Sequence, residues 1–151
     1  SIIVNTSDKS INEWLNTRLR RSEFMPFAPV LRAEIAENCI KNYNADDVTL
    51  RFMTSTVDCT EEFEERNPAV VHVDHTARPQ IVTRISNKFL WSVLKRWEVI
   101  SLESSLVNTS FNVHEEPIVC DVDEGFESLD NGVIDELWVV TSNEAHCFSV
   151  K

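Results

Sequence analysis

Apolar side chains recur at helical intervals in three stretches of this chain. The first stretch predicts a helix over residues 10 to about 20, where Ser10 and Glu13 have the spacing of a capping box. The second predicts a helix over residues 31–40, which a polar stretch ends. The third predicts a longer helix over residues 87–103, with leucine, valine and tryptophan side chains at helical spacing. Three helices are therefore expected.

Segments rich in β-branched residues and bounded by turn-forming residues predict the strands. In chain order, these strands are residues 48–54, 69–74, 80–85, 104–107, 118–121 and 132–140, with 145–150 paired beside the last. The acidic residues 59–67 carry no apolar face of their own and are predicted to form a solvated connection. Helices and strands in this order predict an α+β domain with a mixed β-sheet.

Length and composition are those of one globular domain. The chain has 151 residues, of which 42% are hydrophobic and 26% charged, and a chain of this length can bury a substantial core. No apolar run approaches the length of a membrane span and no signal-peptide pattern is present, so no membrane association is expected. The formal net charge of -11 would repel polyanions, which argues against nucleic acid as a partner.

Cysteine and glycine usage narrows the class of protein further. The four cysteines stand far apart without a CxxC pair: Cys39, Cys59, Cys120 and Cys147. They are expected to be reduced and half-buried, which favours a cytoplasmic protein. The chain has 2 glycines, Gly125 and Gly132, and this excludes the glycine-rich GxGxxG and Walker loops that cradle phosphates. A nucleotide would have to be bound by other means.

Three polar places stand out, and the first follows the predicted helix 10–20. Arg18, Arg20 and Arg21 lie at its end, next to the apolar, proline-rich residues 24–29. Cations are favoured at a helix C-terminus by the helix dipole alone. The alternative is that these arginines form a fork for phosphate or carboxylate oxygens. Both interpretations stay open on sequence grounds.

The second place connects the strands predicted at 69–74 and 80–85. Thr76 and Arg78 lie there, and loops at strand ends are where open sheets present ligand-binding groups. His72, Asp74 and His75 are close in sequence, but alternation along a strand would separate them. Zinc needs three or four convergent ligands. No metal site is therefore expected.

The third place is the run 108–112. If the strand before it continues, Asn108, Ser110 and Asn112 share one face and offer amide and hydroxyl donors that suit a neutral amide or an anion. The alternative is a polar strand end whose side chains cap their own turn.

Motifs at these places follow one another in the order of a known family. They are Arg-Arg-Ser-Glu-Phe-Met-Pro-Phe-Ala-Pro at 20–29, Pro-Ala-Val-Val-His-Val-Asp at 68–74, Thr-Ala-Arg-Pro-Gln at 76–80, Asn-Thr-Ser-Phe-Asn-Val-His at 108–114 and Glu-Pro-Ile-Val at 116–119. Together they resemble the C-terminal domain of the NodU- and TobZ-type carbamoyltransferases. The resemblance covers nearly the whole chain.

The resemblance implies a YrdC-like fold, a twisted mixed β-sheet flanked by helices. It also implies that ATP and carbamoyl phosphate are bound and that carbamoyl-adenylate is formed, with release of phosphate and pyrophosphate. A separate N-terminal domain with an iron-type metal site then passes the carbamoyl group to an acceptor hydroxyl. Residues 1–151 are expected to be the C-terminal domain alone, without the acceptor domain and the start of its own first motif. Mg²⁺ is expected to enter only with ATP.

The resemblance also assigns residues. Those implied for carbamoyl phosphate chemistry are Arg78, Asn108 and Ser110, with Arg78 on the anion and the other two on carbamoyl and phosphate oxygens. Those implied for the nucleotide are Arg20, Arg21, Thr76 and Asn112, with Arg20 in place of a family lysine. Attack of a carbamate oxygen on the α-phosphate brings two anions together, so charge neutralisation and positioning are the main tasks of such a site.

Two positions depart from the family pattern, because His75 and Glu115 stand where the family has glycine. Glu115 adds a carboxylate beside the implied anion site. The family's Gly-Pro-Arg-Ala-Leu-Gly segment, with its phosphate-binding arginine, would precede Ser1. These departures leave a second hypothesis open, a non-catalytic module that keeps the fold and binds a nucleotide or a protein partner.

Overall fold

The computed structural model describes residues 1–21 and 26–150. The strands are β1 (Ile2–Asn5), β2 (Ala28–Arg32), β3 (Val57–Asp58), β4 (Thr76–Ala77), β5 (Gln80–Val82), β6 (Ser105–Thr109), β7 (Glu136–Val140) and β8 (Ala145–Ser149). The α-helices are α1 (Ser10–Arg18), α2 (Ala36–Cys39), α3 (Glu61–Arg66), α4 (Lys88–Ser101) and α5 (Val122–Asp130). Two short 3-10 helices span Ala33–Ile35 and Val48–Arg51.

The central sheet has four strands in the order β1-β6-β2-β5. β2 and β5 are parallel, whereas β6 is antiparallel to both β1 and β2. The predicted mixed sheet is therefore confirmed. Two further pairs, β3 with β4 and β7 with β8, form small antiparallel sheets of their own.

Helices cover both faces of the central sheet because its strands alternate apolar side chains between the two faces. On one face, Leu15 and Leu19 from the α1 region pack with Leu31 and Val107 in the main core. On the other face, residues of α4 pack in a smaller cluster of sheet side chains; its buried members are Val30, Val82, Leu94 and Leu106. The expected layering, a sheet flanked by helices, is present.

The helix predicted over 31–40 is largely wrong. β2 continues to Arg32, and only the 3-10 helix Ala33–Ile35 and the short α2 follow it. Val30 and Leu31 are fully buried between β6 and β5. Pairing with two neighbouring strands in the core outweighs local helical spacing, as tertiary context commonly does.

Residues 48–54, predicted as a strand, form the 3-10 helix Val48–Arg51 and a turn. The Asp47 carboxylate accepts hydrogen bonds from the Thr49 backbone N–H and hydroxyl at 2.9 and 2.5 Å. An aspartate that accepts from the residue two positions later favours a turn over an extended strand.

The acidic segment 59–67, predicted as a solvated connection, contains α3. Thr60 begins the helix, with its hydroxyl accepting the Phe63 N–H at 3.3 Å and donating to the Asn38 carbonyl at 2.7 Å. Phe63 is only 3% exposed and joins the main core. One buried aromatic side chain and an N-cap are thus enough to fix a helix that lacks a full apolar stripe.

The Thr60→Ala variant is expected to lower the free energy of unfolding by about 1 kcal/mol, because the first turn of α3 loses its capping acceptor. Urea denaturation followed by circular dichroism measures the change. Thr17→Ala is the matched control, since the exposed Thr17 hydroxyl only donates to the Glu13 carbonyl one turn earlier, and it should change stability by less than about 0.5 kcal/mol. Equal effects of the two substitutions would contradict a capping role for Thr60.

Residues 69–74 are also not a strand. Val70 is fully buried, whereas Val73 is 96% exposed. The His72 N–H donates to the Thr76 carbonyl at 2.7 Å and the His75 N–H to the His72 carbonyl at 3.0 Å, which closes a tight turn. The β-branched residues of this segment therefore provide one buried side chain, Val70, and then form a turn instead of a strand.

The remaining elements follow the sequence more closely. α1, α4, β6 and the β7–β8 hairpin lie where helices and strands were expected, and β5 occupies part of 80–85. The capping box is wrong, since Ser10 lies inside α1 and its N–H donates to the Asp8 carboxylate at 2.8 Å. Residues 118–121 are not a strand, and α5, capped by Asp121, was not predicted.

The cysteines divide into two buried and two exposed residues, all of them free, so the expectation of half-buried side chains is wrong. Burial raises the pKa of the Cys39 thiol to about 11 and that of Cys59 to about 12. Cys120 and Cys147 are exposed. None of the helices in the described ranges combines the length and apolar character that a bilayer crossing requires.

Candidate functional site

The candidate site lies at one end of the central sheet. β6 ends there with Thr109, and the antiparallel β2 begins beside it, because Asn108 pairs with Ala28. β5 is parallel to β2 and begins at the same end with Gln80. This arrangement brings the ends of two of the sequence motifs next to the Arg20–Arg21 segment.

The end of α1 directs Arg21 toward the sheet. Arg20 adopts the left-handed backbone conformation (φ 52°), its N–H donates to the Thr17 carbonyl, and the Arg21 N–H donates to the Asn16 carbonyl at 3.0 Å. This is the Schellman arrangement that commonly ends helices. The Arg21 guanidinium then lies over the Phe27 ring, 4.6 Å from its centroid, and donates to the Thr109 hydroxyl at 3.1 Å. Of the proline-rich stretch 24–29, Phe24 and Met25 lie outside the described residues.

Arg78 is the second cation of the site. Burial lowers the pKa of the half-buried Arg21 guanidinium, and the positive charge of Arg78 lowers it further. No arginine ion pair within residues 1–21 and 26–150 includes Arg20, Arg21 or Arg78, although other arginines pair with carboxylates. Arg21 and Arg78 are thus two neighbouring cations that form no ion pair with a described carboxylate, in a chain of net charge -11, and such like charges favour an anionic neighbour.

Thr76 is the first residue of β4, directly after the turn at residues 72–75 and two residues before Arg78. Its hydroxyl donates to the Asp74 carboxylate at 2.6 Å and lies 3.0 Å from His72 Nδ1. Burial lowers the pKa of His72, an effect that Asp74 opposes and Arg78 reinforces. Thr76 thus holds together the turn that leads into β4.

Asn108 lies on the α4 face of β6, opposite to the face of Thr109. Asn108 is 6% exposed, and its Nδ2 donates to Gln80 Oε1 at 2.6 Å. Its Oδ1 atom is buried and has no hydrogen-bond partner among the described residues. One N–H of the Asn108 side-chain amide is therefore bonded to Gln80, and its Oδ1 is the buried atom without a hydrogen-bond partner in the described part of the chain.

β6 ends at Thr109, so the continued strand that would have placed Asn108, Ser110 and Asn112 on one face is not formed, and the alternative of a polar strand end is the one observed. Ser110 is exposed directly after the strand. Asn112 Nδ2 donates to the carbonyls of Val113 and Glu116 at 2.9 and 3.0 Å, and its buried Oδ1 has no partner within the described part of the chain.

A backbone contact joins the turn after β6 to the end of α1. The His114 N–H donates to the Leu19 carbonyl at 2.9 Å. Since Arg20 and Arg21 follow Leu19 directly, this bond holds the Asn112 turn beside the two arginines. The first and third polar places of the sequence therefore meet in space.

His75 and Glu115, the two residues in place of family glycines, both have a φ of 66°. This left-handed conformation costs little for glycine and roughly 1–2 kcal/mol for other residues. Both turns keep a backbone conformation that suits glycine, although neither has a glycine at that position. The sequence departures are therefore points of local strain.

His75→Gly and Glu115→Gly are each expected to raise the free energy of unfolding by about 0.5–1 kcal/mol, the relief of strain being partly offset by the greater entropy of glycine in the unfolded chain. Thermal and urea unfolding measure the gain. His75→Ala and Glu115→Ala are the matched controls, because they remove the same side chains and keep the strain. A gain in the alanine variants as large as in the glycine variants would show that backbone strain is not the cause.

One group with metal-ligating atoms occurs among the described residues, formed by Cys120, Asp121 and Glu124. All three are exposed and lie at the start of α5. Asp121 accepts the Glu124 N–H at 2.9 Å, and Glu124 accepts the Cys120 N–H at 2.8 Å. Helix capping accounts for this cluster, so it carries no argument for a metal.

Three residues of the site were not singled out from the sequence. Gln80 holds the Asn108 amide, Thr109 accepts from Arg21, and the Phe27 ring supports the same guanidinium. All three residues lie inside the motifs quoted above, so the motifs could have pointed to them. Their roles depend on strand pairing, which local spacing does not show.

Comparison with known proteins places these motifs in a family. The family described as carbamoyltransferase C-terminus matches residues 1–143. Protein MJ1051 of Methanocaldococcus jannaschii is 34% identical over 122 residues, and nodulation protein NolO of Bradyrhizobium diazoefficiens is 33% identical over 112 residues. These matches cover 80% and 73% of this chain but only 23% and 20% of the relatives. The chain thus spans about a fifth of the length of such relatives.

A solved structure supports the fold. Full-length HypF in its phosphate- and nucleotide-bound form matches with a TM-score of 0.58 and 20% sequence identity, over 85% of this chain and 16% of HypF. At that identity the match establishes the fold alone. The YrdC-like mixed sheet implied by the sequence motifs is confirmed. With the family match over nearly the whole chain, the protein belongs to the carbamoyltransferase C-terminal domain family.

Proposed function

We propose that this domain binds ATP and carbamoyl phosphate and forms carbamoyl-adenylate. The observation that carries the proposal is the approach of Arg21 and Arg78 at the end of the sheet without a neutralising carboxylate among the described residues. Isolated cations in a strongly acidic domain favour a phosphorylated ligand, since guanidinium groups bind phosphate with paired hydrogen bonds. HypF, which shares the fold, was solved with phosphate and nucleotide bound.

The proposed chemistry runs in two balanced steps. Water first cleaves carbamoyl phosphate to carbamate and inorganic phosphate. An oxygen of carbamate then attacks the α-phosphorus of ATP; the bond from that phosphorus to the bridging oxygen breaks, and pyrophosphate leaves. Mg²⁺ would enter with ATP as its counter-ion. Because both reactants of the second step are anions, the site must mainly neutralise charge and align the reacting atoms.

The site residues divide between the two substrates. Arg78 would hold carbamoyl phosphate and the carbamate derived from it. Arg20 and Arg21, at the end of α1, would contact the phosphates of ATP. The exposed Ser110 hydroxyl would donate to a phosphate oxygen. Asn112 and Thr76 would act next to the nucleotide, Thr76 from the start of β4, two residues before Arg78.

The relatives are several times longer than this chain. This difference in length supports a further part of the proposal, that the activated carbamoyl group passes to a separate acceptor-binding domain. We place the reaction in the cytoplasm, because all four cysteines are free and free thiols persist in reducing compartments.

Exchange of radiolabelled pyrophosphate into ATP tests the proposal directly. The purified domain should catalyse exchange that requires carbamoyl phosphate, with phosphate released in the same reaction. Glu115→Gly, which restores the glycine of the family pattern, should retain the exchange. Calorimetric titration with ATP separates the alternatives. ATP binding without exchange would favour the non-catalytic nucleotide-binding module, and absence of ATP binding would favour a module for protein partners.

A further inference from the structure

We infer that copies of this domain associate head to tail, with the exposed face of α4 on one copy docked against the exposed face of α5 on the next. The first face is basic and apolar, and the second is acidic. The inference goes beyond the proposed function and uses none of the residues assigned there, so either can fail without the other.

α4 exposes a stripe of apolar side chains on the side that does not pack against the sheet. Phe89 and Ile100 lie on the same side of the helix, about three turns apart, and are 59% and 66% exposed. Ile85, just before the helix, is 98% exposed. Single exposed apolar residues are ordinary, whereas a contiguous stripe of them marks an interaction site.

The same part of the molecule is basic, although the whole chain has a formal net charge of -11. Residues 84–96 contain four of the 14 lysine and arginine residues and no aspartate or glutamate. Arg96 lies in the apolar stripe between Phe89 and Ile100, and Lys88 is also exposed. Neither cation forms an ion pair within residues 1–21 and 26–150. This face therefore favours a partner surface that is acidic.

α5 presents such a surface. Residues 121–136 contain seven aspartate and glutamate residues and no lysine or arginine. Asp123, Glu127 and Asp130 recur at helical spacing and are exposed, so they form one acidic stripe along α5. None of the three has an ion-pair partner in the described part of the chain. Val122, at the start of the helix, is 47% exposed and adds apolar surface beside the stripe.

The two stripes lie on opposite sides of the central sheet. α4 packs on the face that carries Val30 and Leu106. The segment after α5 packs on the other face, where Val133 joins the main core and Asp135 pairs with Arg18 of α1 at 2.7 Å. One copy therefore cannot bring its own stripes together. Since the two surfaces differ, their contact is heterologous and repeats from copy to copy in a ring or an open chain.

An anionic lipid surface is the alternative occupant for a basic, apolar helix face. The acidic α5 segment and the net charge of -11 oppose the approach of the whole domain to such a surface. A second copy supplies carboxylates at a defined place on a folded surface. Charge complementarity between α4 and α5 thus favours the second copy.

Sedimentation velocity of the wild-type domain over a range of protein concentrations tests the inference. The weight-average mass should rise with concentration beyond that of two chains. It should fall toward that of one chain at about 1 M NaCl, where the Debye length is about 3 Å. One-chain mass at every concentration would overturn the inference. A mass that stops at two chains would also overturn it, because a symmetric dimer uses one surface twice.

Charge reversal tests which surfaces meet. Lys88→Glu with Arg96→Glu on α4, and Glu127→Lys with Asp130→Lys on α5, should each weaken association by about 10-fold or more. An equimolar mixture of the two double variants should associate again. In the mixture, an unchanged α4 face meets an unchanged α5 face at one contact, and the two reversed faces meet at the next. Variants that stay apart when mixed would contradict the pairing of α4 with α5.

The control is Glu61→Lys with Glu65→Lys, which changes the net charge as much as the α5 variant does. Both glutamates are exposed on α3, so this variant should associate like wild type, and circular dichroism checks the folding of every variant. Equal loss in the control would show that overall charge, not α5, governs association. A wild-type domain that remains a single chain but sediments with phosphatidylglycerol vesicles would assign the α4 face to lipid and make the inference wrong. The wild-type measurements need no variant, so they decide the question even if a variant fails to fold.

Discussion

Arg78→Ala is expected to weaken carbamoyl phosphate binding by on the order of 10- to 100-fold, the usual loss for a charge-assisted hydrogen bond. The Arg78 side chain is exposed, between β4 and β5, so its removal should leave the core intact. Since Arg78 carries the charge that faces Arg21, the remaining site keeps only part of its positive potential. Pyrophosphate exchange that depends on carbamoyl phosphate should be lost in the same variant.

Arg84→Ala is the matched control for Arg78→Ala. Arg84 lies two residues after β5, as Arg78 lies two residues before it, but Arg84 is near the Trp91 ring on α4, 5.8 Å from the ring centroid. Both variants change the net charge by the same amount. If Arg84→Ala weakened binding as much as Arg78→Ala, the effect would come from the overall charge of the domain, and the assigned anion site would be wrong.

Asn67→Ala is expected to lower the free energy of unfolding by about 3 kcal/mol, because it breaks a fully buried polar network. Asn67 Oδ1 accepts from the hydroxyls of Thr6 and Ser105, each at 2.7 Å, and its Nδ2 donates to the Phe63 carbonyl at 3.1 Å. All three side chains of this network, Thr6, Asn67 and Ser105, have 0% exposure. Removing the amide leaves two hydroxyls without their shared acceptor.

Urea denaturation of Asn67→Ala measures this loss. Asn38→Ala is the control, since Asn38 is exposed and lies in α2, and it should change stability by less than about 0.5 kcal/mol. The network joins the residue after β1, the end of α3 and the start of β6, so the variant should also unfold at a lower temperature. A loss of less than about 1 kcal/mol would show that the network does not hold these elements together.

Sequence patterns correctly predicted the elements that are stabilised by contacts between residues close together in the sequence. α4 has apolar residues at helical spacing and an Asn87 N-cap that accepts the Leu90 N–H at 3.0 Å, and it forms as expected. The β7–β8 hairpin pairs within a short segment. By contrast, β2 forms because β5 and β6 flank it, and those partners are distant in the sequence. Helical spacing in that segment could not reveal them.

The candidate site, too, could be predicted only in part, because some of its contacts join residues that are distant in the sequence. The motifs identified the family and the cations, because guanidinium groups in a proline-bounded turn are visible in the sequence. Which atoms of Asn108 remain free depends on Gln80, 28 residues earlier in the chain. The face that Asn108 occupies depends on the register of β6 in the sheet. The residue types of the site could therefore be read from the motifs, whereas their contacts depend on strand pairing.

Titration of the ¹⁵N-labelled domain with carbamoyl phosphate, followed by amide chemical shifts, tests the central claim most directly. The anion site predicts that the largest shifts cluster at one end of the sheet, around Arg21, Arg78, Gln80 and Thr109. The opposite end offers a competing group of cations around Trp91, with Lys95 5.3 Å and Arg84 5.8 Å from the ring centroid. Shifts concentrated around Trp91, with none near Arg21 and Arg78, would contradict the site assigned to this domain.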